Sequence, residues 1–232
     1  MSEPAVRRVW DLPVRVVHWL LVIGIAGSYV THRLGVTYFK FHLWFGYLVV
    51  VLAAFRILWG FVGTRHARFT SFLRGPRATA AYLLAMIRGE ATPTPGHNPA
   101  GGWMVILLLL FLLAQGITGL FSNDEIFNTG PLYGYISDGL SLRLTSWHRR
   151  MFDWVLIAVV LHVLAVIGHR VLAGHDLVGP MISGRKPAHL LPEHEAIGSS
   201  RLWLAVLLLA GVAGVVSWFV LQAPTAAVFA YE

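Results

Sequence analysis

Apolar residues gather into five long runs, at about 14–30, 41–62, 103–121, 147–171 and 202–221, separated by polar connections. A helix crosses the hydrocarbon core with about 20 mostly apolar residues, and it satisfies its own backbone hydrogen bonds there. The pattern therefore predicts five transmembrane helices. The first run follows Arg7 and Arg8 as the core of a signal peptide would, but its apolar stretch is long and no small-residue cleavage pattern ends it, so it is expected to be a retained helix. Between runs two and three, PRATAAYLLAMIRGE has apolar residues at helical spacing with Pro76 in the first turn, as in an amphipathic helix on the membrane surface. TPTPGHNPAGG after it is turn-rich. The connection SNDEIFNTGPLYGYISDGLSLRLTSW carries Asp124, Glu125 and Asp138 and is a candidate docking face. No internal repeat is evident. The expected fold is all-α and integral to the membrane: a four-helix bundle plus a fifth, C-terminal transmembrane helix.

Composition agrees. The 232 residues are 56% hydrophobic and 12% charged, against about 25% charged in an average soluble domain, which leaves no room for a large soluble domain beside five spans. Cysteine is absent, which removes thiolate-held iron–sulfur clusters, CxxCH haem attachment, disulfides and Cys-based zinc sites. The net charge of +7 is expected to report topology rather than nucleic-acid binding. Twelve of the 18 Lys and Arg fall at the N-terminus and in the connections after runs two and four, five fall on the opposite side, and Arg56 lies within a run. By this asymmetry the N-terminus is inside and the C-terminus outside.

Ionisable residues inside a span are costly and point to function. His18 lies near the inner end of run one, His42 at the outer start of run two, and His148 and His162 along run four. Fourteen residues of helix rise about 21 Å and return to within about 40° of the same face. One helix thus offers two imidazoles to the bundle interior at different depths. Alternating helix directions then level His162 with His18 and His148 with His42. Two facing imidazoles are the axial set of a six-coordinate b-type haem, whose porphyrin supplies the other four nitrogens. A saturated iron suits one-electron transfer. Arg56, 14 residues after His42, is a candidate partner for haem propionates, or else a residue that snorkels to the surface. Gly24, Gly27, Gly46, Gly116 and Gly119 are candidates for close approach of the macrocycle, or ordinary helix contacts. His169 rivals His162, and His32 rivals His42 and His148. His66, His97, His175, His189 and His194 fall in connections and are expected to be solvated.

The chain resembles the cytochrome b561 and nickel–iron hydrogenase b-type cytochrome superfamily in RVVHWLLV with His18, FKFHLWFGYLVVV with His42, and SWHRRMFDWVLIAVVLHVLAVIGH with His148 and His162. RILWGFVGTRHARFTSFLRGPRA, GHNPAGGWMVILLLL and HDLVGPMISGRK extend the similarity over about residues 8–187. The resemblance implies four core helices holding two non-covalent haems b through His18, His42, His148 and His162. It also implies an inner-membrane location and electron exchange between a quinone pool and a periplasmic redox partner such as a c-type cytochrome. Residues 1–187 would then be the cytochrome domain, and 188–232 a cytoplasmic connection, the fifth span and the APTAAVFAYE tail. A quinone is expected beside the inner haem, near His18, Arg56 and GTRHARF. Two other classes stay open. One is a self-contained oxidoreductase that takes electrons from a small anion such as superoxide near Lys40, Arg149 and Arg150. The other is a histidine-lined metal or proton transporter without haem.

Overall fold

The computed structural model describes residues 5–224; the last eight residues of the C-terminal tail and the first four of the chain lie outside them. The elements are β1 (Val6–Arg8), α1 (Leu12–Arg33), α2 (Phe39–Val62), α3 (Phe69–Phe72), α4 (Pro76–Ile87), α5 (Pro99–Leu120), α6 (Asp138–Leu172), α7 (Val178–Ser183), β2 (Arg185–Pro187) and α8 (Leu202–Leu221). Five of them, α1, α2, α5, α6 and α8, are long and apolar enough to cross a membrane. Large apolar side chains such as Phe61, Trp147, Trp154 and Val206 stand exposed along these helices, as expected where lipid rather than protein is the neighbour. The surface segment forms α4, with Pro76 in its first turn and no buried residue.

Two features go beyond the sequence pattern. The fold is all-α except for a short antiparallel ladder, β1 with β2, which pairs Val6 with Pro187, Arg7 with Lys186 and Arg8 with Arg185. The fourth spanning helix begins at Asp138, nine residues before its apolar run. Its first turns are polar, so an apolar window passes over them. They are helical because Ser141 donates to the Phe121 carbonyl (2.7 Å), and Thr145 both accepts from the Asn123 amide (2.8 Å) and donates to the Asn123 carbonyl (3.1 Å). The preceding connection thus takes up hydroxyls that lipid would leave without partners.

The described residues form two compact units. The first comprises 5–18, 56–109 and 157–206, and its core is Val9, Trp10, Trp59, Phe69, Phe72, Leu191 and Ile197. Its most buried carboxylate is Asp11. One oxygen caps α1 by accepting from the Val14 amide (2.7 Å), and the other accepts from the Trp59 indole (3.1 Å) and the Thr64 hydroxyl. These bonds fix where α1 begins relative to the end of α2. The second unit comprises 19–55, 110–156 and 207–224. There Val216, Val220 and Ala223 of the α8 end pack on a cluster of Val50, Leu120 and Leu132.

Candidate functional site

Each unit brings together one of the histidine pairs expected from the sequence. In the first unit the rings of His18 on α1 and His162 on α6 have centroids 6.4 Å apart, with planes at 60°. In the second, His42 on α2 and His148 on α6 have centroids 6.3 Å apart, with planes at 89°. A metal midway between two imidazole nitrogens, at ordinary metal–nitrogen distances of about 2 Å, separates the ring centroids by about 6.3 Å. Both pairs have this span. Among the described residues there is no group of three or more His, Asp or Glu placed to hold a metal ion. Two imidazoles therefore fit an iron that brings four donors of its own, and not a bare ion needing a four-residue cage.

The second pair has its tautomers fixed by main-chain acceptors. His42 Nδ1 lies 2.9 Å from the Ser28 carbonyl, and His148 Nδ1 lies 2.8 Å from the Gln115 carbonyl. A carbonyl can only accept, so each Nδ1 carries the proton and each Nε2 presents its lone pair, the arrangement usual for metal-bound histidine. Gln115 also turns its side-chain amide to His148 Nε2 at 3.3 Å, while its Oε1 is buried without a hydrogen bond among the described residues. The sequence reading missed Gln115; its one signal is an amide in the middle of an otherwise apolar run. Gly119 lies against the His148 ring, which a β-carbon there would meet at 2.7 Å. Gly24, Gly27 and Gly116 instead meet Val49, Phe45 and Val50, as ordinary helix contacts, and Gly46 faces open space.

The rivals are placed differently. His169 is buried, but its Nδ1 proton goes to the Ala165 carbonyl (2.8 Å), and its Nε2 accepts from the Tyr82 hydroxyl (3.2 Å) and the Asn98 amide (3.1 Å). Both nitrogens are used in packing α6 against α4 and the start of α5. His32 is exposed, with its ring 5.9 Å from that of His42. Lys40, Arg149 and Arg150 are all exposed, with Lys40 over the Trp44 ring and Arg150 bonded to Ser146.

Two connection histidines expected to be solvated are not. His66 is buried and donates through Nε2 to the Glu195 carbonyl (2.9 Å); burial lowers its pKa, against the opposing pull of Glu195. His97 packs against Trp10 and Phe72, with ring centroids 4.6 and 4.4 Å away. Burial, then the charges of Arg56, His66 and Lys186, push it down to about 3. Both histidines are covered because the 94–98 and 193–197 segments fold back onto the first unit, a long-range contact that hydropathy does not register. His189 and His194 are exposed, as expected.

Arg56 does not snorkel. It is buried, donates to the Ala67 carbonyl (3.2 Å), lies 5.8 Å from the Phe69 ring, and has Asp11 as its electrostatic counterpart. Asp124 organises its own connection. One carboxylate oxygen accepts from the amides of Ile126, Phe127 and Asn128, and the other from the Asn128 side chain.

Comparison with known proteins adds independent findings. The profile of the prokaryotic cytochrome b561 family matches residues 9–184. Among curated proteins, a probable Ni/Fe-hydrogenase B-type cytochrome subunit of Cupriavidus necator is 25% identical over 209 residues, covering 76% of this chain and 85% of that one. Proteins of the same description from Rhodobacter capsulatus (26% identical, covering 77% and 80%) and, as the hydrogenase 1 subunit, from Escherichia coli (24%, covering 76% and 88%) are similar over comparable spans. No solved structure matches the chain.

Proposed function

Because the chain belongs to the prokaryotic cytochrome b561 family, we propose that it holds two haems b, one between His18 and His162 and one between His42 and His148, and carries electrons between a quinone pool and a periplasmic redox partner. As a member of that family it is a multi-pass membrane b-type cytochrome that binds haem b and works with a redox partner. The observation that carries the two-haem proposal is the matched span of the imidazole pairs, 6.4 and 6.3 Å.

When bound, haem b supplies reversible one-electron chemistry at an iron with no open position. The chain's own residues do the rest. His42 and His148 keep their Nδ1 protons on main-chain carbonyls, which leaves Nε2 as the metal donor of each; at His148 the Gln115 side-chain amide, 3.3 Å from Nε2, would have to give way to the haem. Gly119 removes the side chain that would press on the His148 ring. In the first unit Arg56 supplies a buried positive charge suited to a propionate, and Asp11 keeps that charge compensated. The quinone is assigned to the same unit, near His18, Arg56 and the 63–69 connection. The Lys and Arg asymmetry supports an inner-membrane protein with its N-terminus cytoplasmic and its C-terminus periplasmic. The partner is a c-type cytochrome or another redox subunit. The hydrogenase-subunit names of the relatives support the subunit class.

The test is the redox difference spectrum of the purified protein with a haem-to-protein ratio. A ratio of two, with a reduced band near about 560 nm as for bis-imidazole haem, is expected. A ratio of one removes one of the pairs from the proposal, and a protein without the band removes both.

A further inference from the structure

The first unit contains a recess of about 540 Å³ lined by four arginines: Arg8, Arg15, Arg185 and Arg201. Its size lies within the roughly 300–1,000 Å³ of small-molecule clefts. Among the described residues no carboxylate lines it, and none of the four guanidinium groups is in an ion pair. The neighbouring basic residues are fully engaged by contrast. Arg7 donates to the Ala188 and Leu191 carbonyls and faces Glu193, and Lys186 donates to the carbonyls of Thr94 and Pro95.

Arg8 and Arg185 are directly opposite each other on the β1–β2 ladder. Like charges in that position repel and destabilise a strand pair, and neither side chain donates a hydrogen bond among the described residues. Arg15 spends one nitrogen on the Ile182 carbonyl, while its Nε is buried without a hydrogen bond among the described residues. Gly184, with φ of +80°, permits this packing, because a β-carbon there would meet Arg15 Nε at 3.0 Å. Arg201 uses one nitrogen on the carbonyls of Val62 and Gly63. The arrangement holds four positive charges around one space, with no acidic side chain among the described residues that line it.

The recess also lies at the level where spans end. Its lining includes Leu12, the first residue of α1, and Leu202, the first of α8, and Arg201 reaches the last carbonyl of α2. Leu12, Leu202 and Trp203 are exposed at its edge, and apolar side chains continue along α1 at Val16 and along α8 at Val206. Tryptophan and basic residues at a span end mark the headgroup region, and basic pockets between spanning helices suit anionic headgroups.

We propose that this recess binds the phosphate of an anionic phospholipid headgroup, held by Arg8, Arg15, Arg185 and Arg201, with the acyl chains along the exposed faces of α1 and α8. The site is separate from the histidine pairs and does not depend on the haem assignment.

The test uses the full-length protein in nanodiscs of phosphatidylcholine, with or without phosphatidylglycerol, followed by detergent extraction and quantification of retained lipid. Retention of phosphatidylglycerol over phosphatidylcholine is expected. R8Q/R185Q should weaken it about 30-fold, from the loss of two cations near an anionic headgroup, with unchanged far-ultraviolet circular dichroism. R77Q/R88Q, which removes two charges outside the recess, should leave it intact. Equal loss in both double variants overturns the site, as does equal retention of the two lipids by the wild type. Saturable binding of inorganic phosphate without preference for phosphatidylglycerol overturns the lipid assignment.

Discussion

The two histidine pairs have nearly the same span, yet their surroundings differ in kind. In the second unit the hydrogen-bond partners of the pair are neutral, namely the Ser28 and Gln115 carbonyls and the Gln115 amide, and the cation acting on His148, Arg149, is exposed. In the first unit, buried and partly buried ionisable groups accompany the pair, namely Arg56, Asp11, His66, His97 and Lys186. The span is thus nearly constant, with ring planes at 60° and 89°, while the charge around the pair changes from exposed to buried. Fixed charge is a means of separating two redox centres that share one ligand set. A cation near a haem stabilises its reduced form, so the first site is expected to hold an electron more tightly than its ligands alone would dictate.

The sharpest way to break the comparison is to remove a ligand from one side. His162→Ala should abolish haem binding in the first unit and leave most of it in the second, and His148→Ala should do the reverse, each reducing the haem-to-protein ratio by about half of its wild-type value. His169→Ala serves as control and should retain the full ratio, because that ring is committed to Tyr82, Asn98 and Ala165. Equal loss of both spectral components in either ligand variant would sink the pairing.

A smaller effect should come from Arg56→Gln. Loss of its charge should lower the midpoint potential of one haem by roughly 60 mV, the equivalent of a tenfold change in a one-electron equilibrium, and leave the other in place. Potentiometric titration reads both values in one sample. An unchanged pair of potentials would mean that Arg56 is only a packing residue with a compensated charge.

The smallest effects are local and appear on acidification. His97 is held down to about 3 from the ordinary 6.5, first by burial and then by neighbouring cations. Its neutral form is favoured by folding, so the unfolded chain binds more protons, and stability is lost as pH falls from 6.5 toward 3. Burial raises the Asp124 carboxyl, but four hydrogen bonds outweigh this and hold it at about 2 rather than 3.8. Its contribution is complete above 3.8 and is lost as pH falls toward 2. Hydrogen exchange, corrected for its intrinsic pH dependence, should therefore show residues 94–98 loosening at a higher pH than 122–130. The reverse order would contradict the burial of His97.

Much of this architecture is legible along the chain because lipid imposes a one-dimensional code. A span must be apolar and about 20 residues long, so the runs marked all five helices, and the ends of α8 agree to the residue. The pairing of His18 with His162 and His42 with His148 was legible for a related reason: helix rise and alternating direction convert sequence position into depth. The polar extension of α6, the burial of His66 and His97, and the Asp11 cap were not legible. Ser141 and Thr145 meet the 121–123 connection, Asp11 reaches Trp59 and Thr64 beyond its cap on Val14, His66 meets Glu195, and His97 is covered by Trp10 and Phe72; these contacts join segments distant along the chain, which hydropathy does not record.

By itself, then, the sequence determined the number of spans, the absence of cysteine ligands and the relative heights of four imidazoles along their helices, since each follows from local composition or helical periodicity. Tertiary structure alone decided how closely the paired rings approach, 6.3–6.4 Å between centroids, which other histidines are spent on packing, and where charge is left without a counterpart among the described residues. Those outcomes depend on which side chains distant segments bring within hydrogen-bonding or Coulombic reach, and no count along the chain contains that distance.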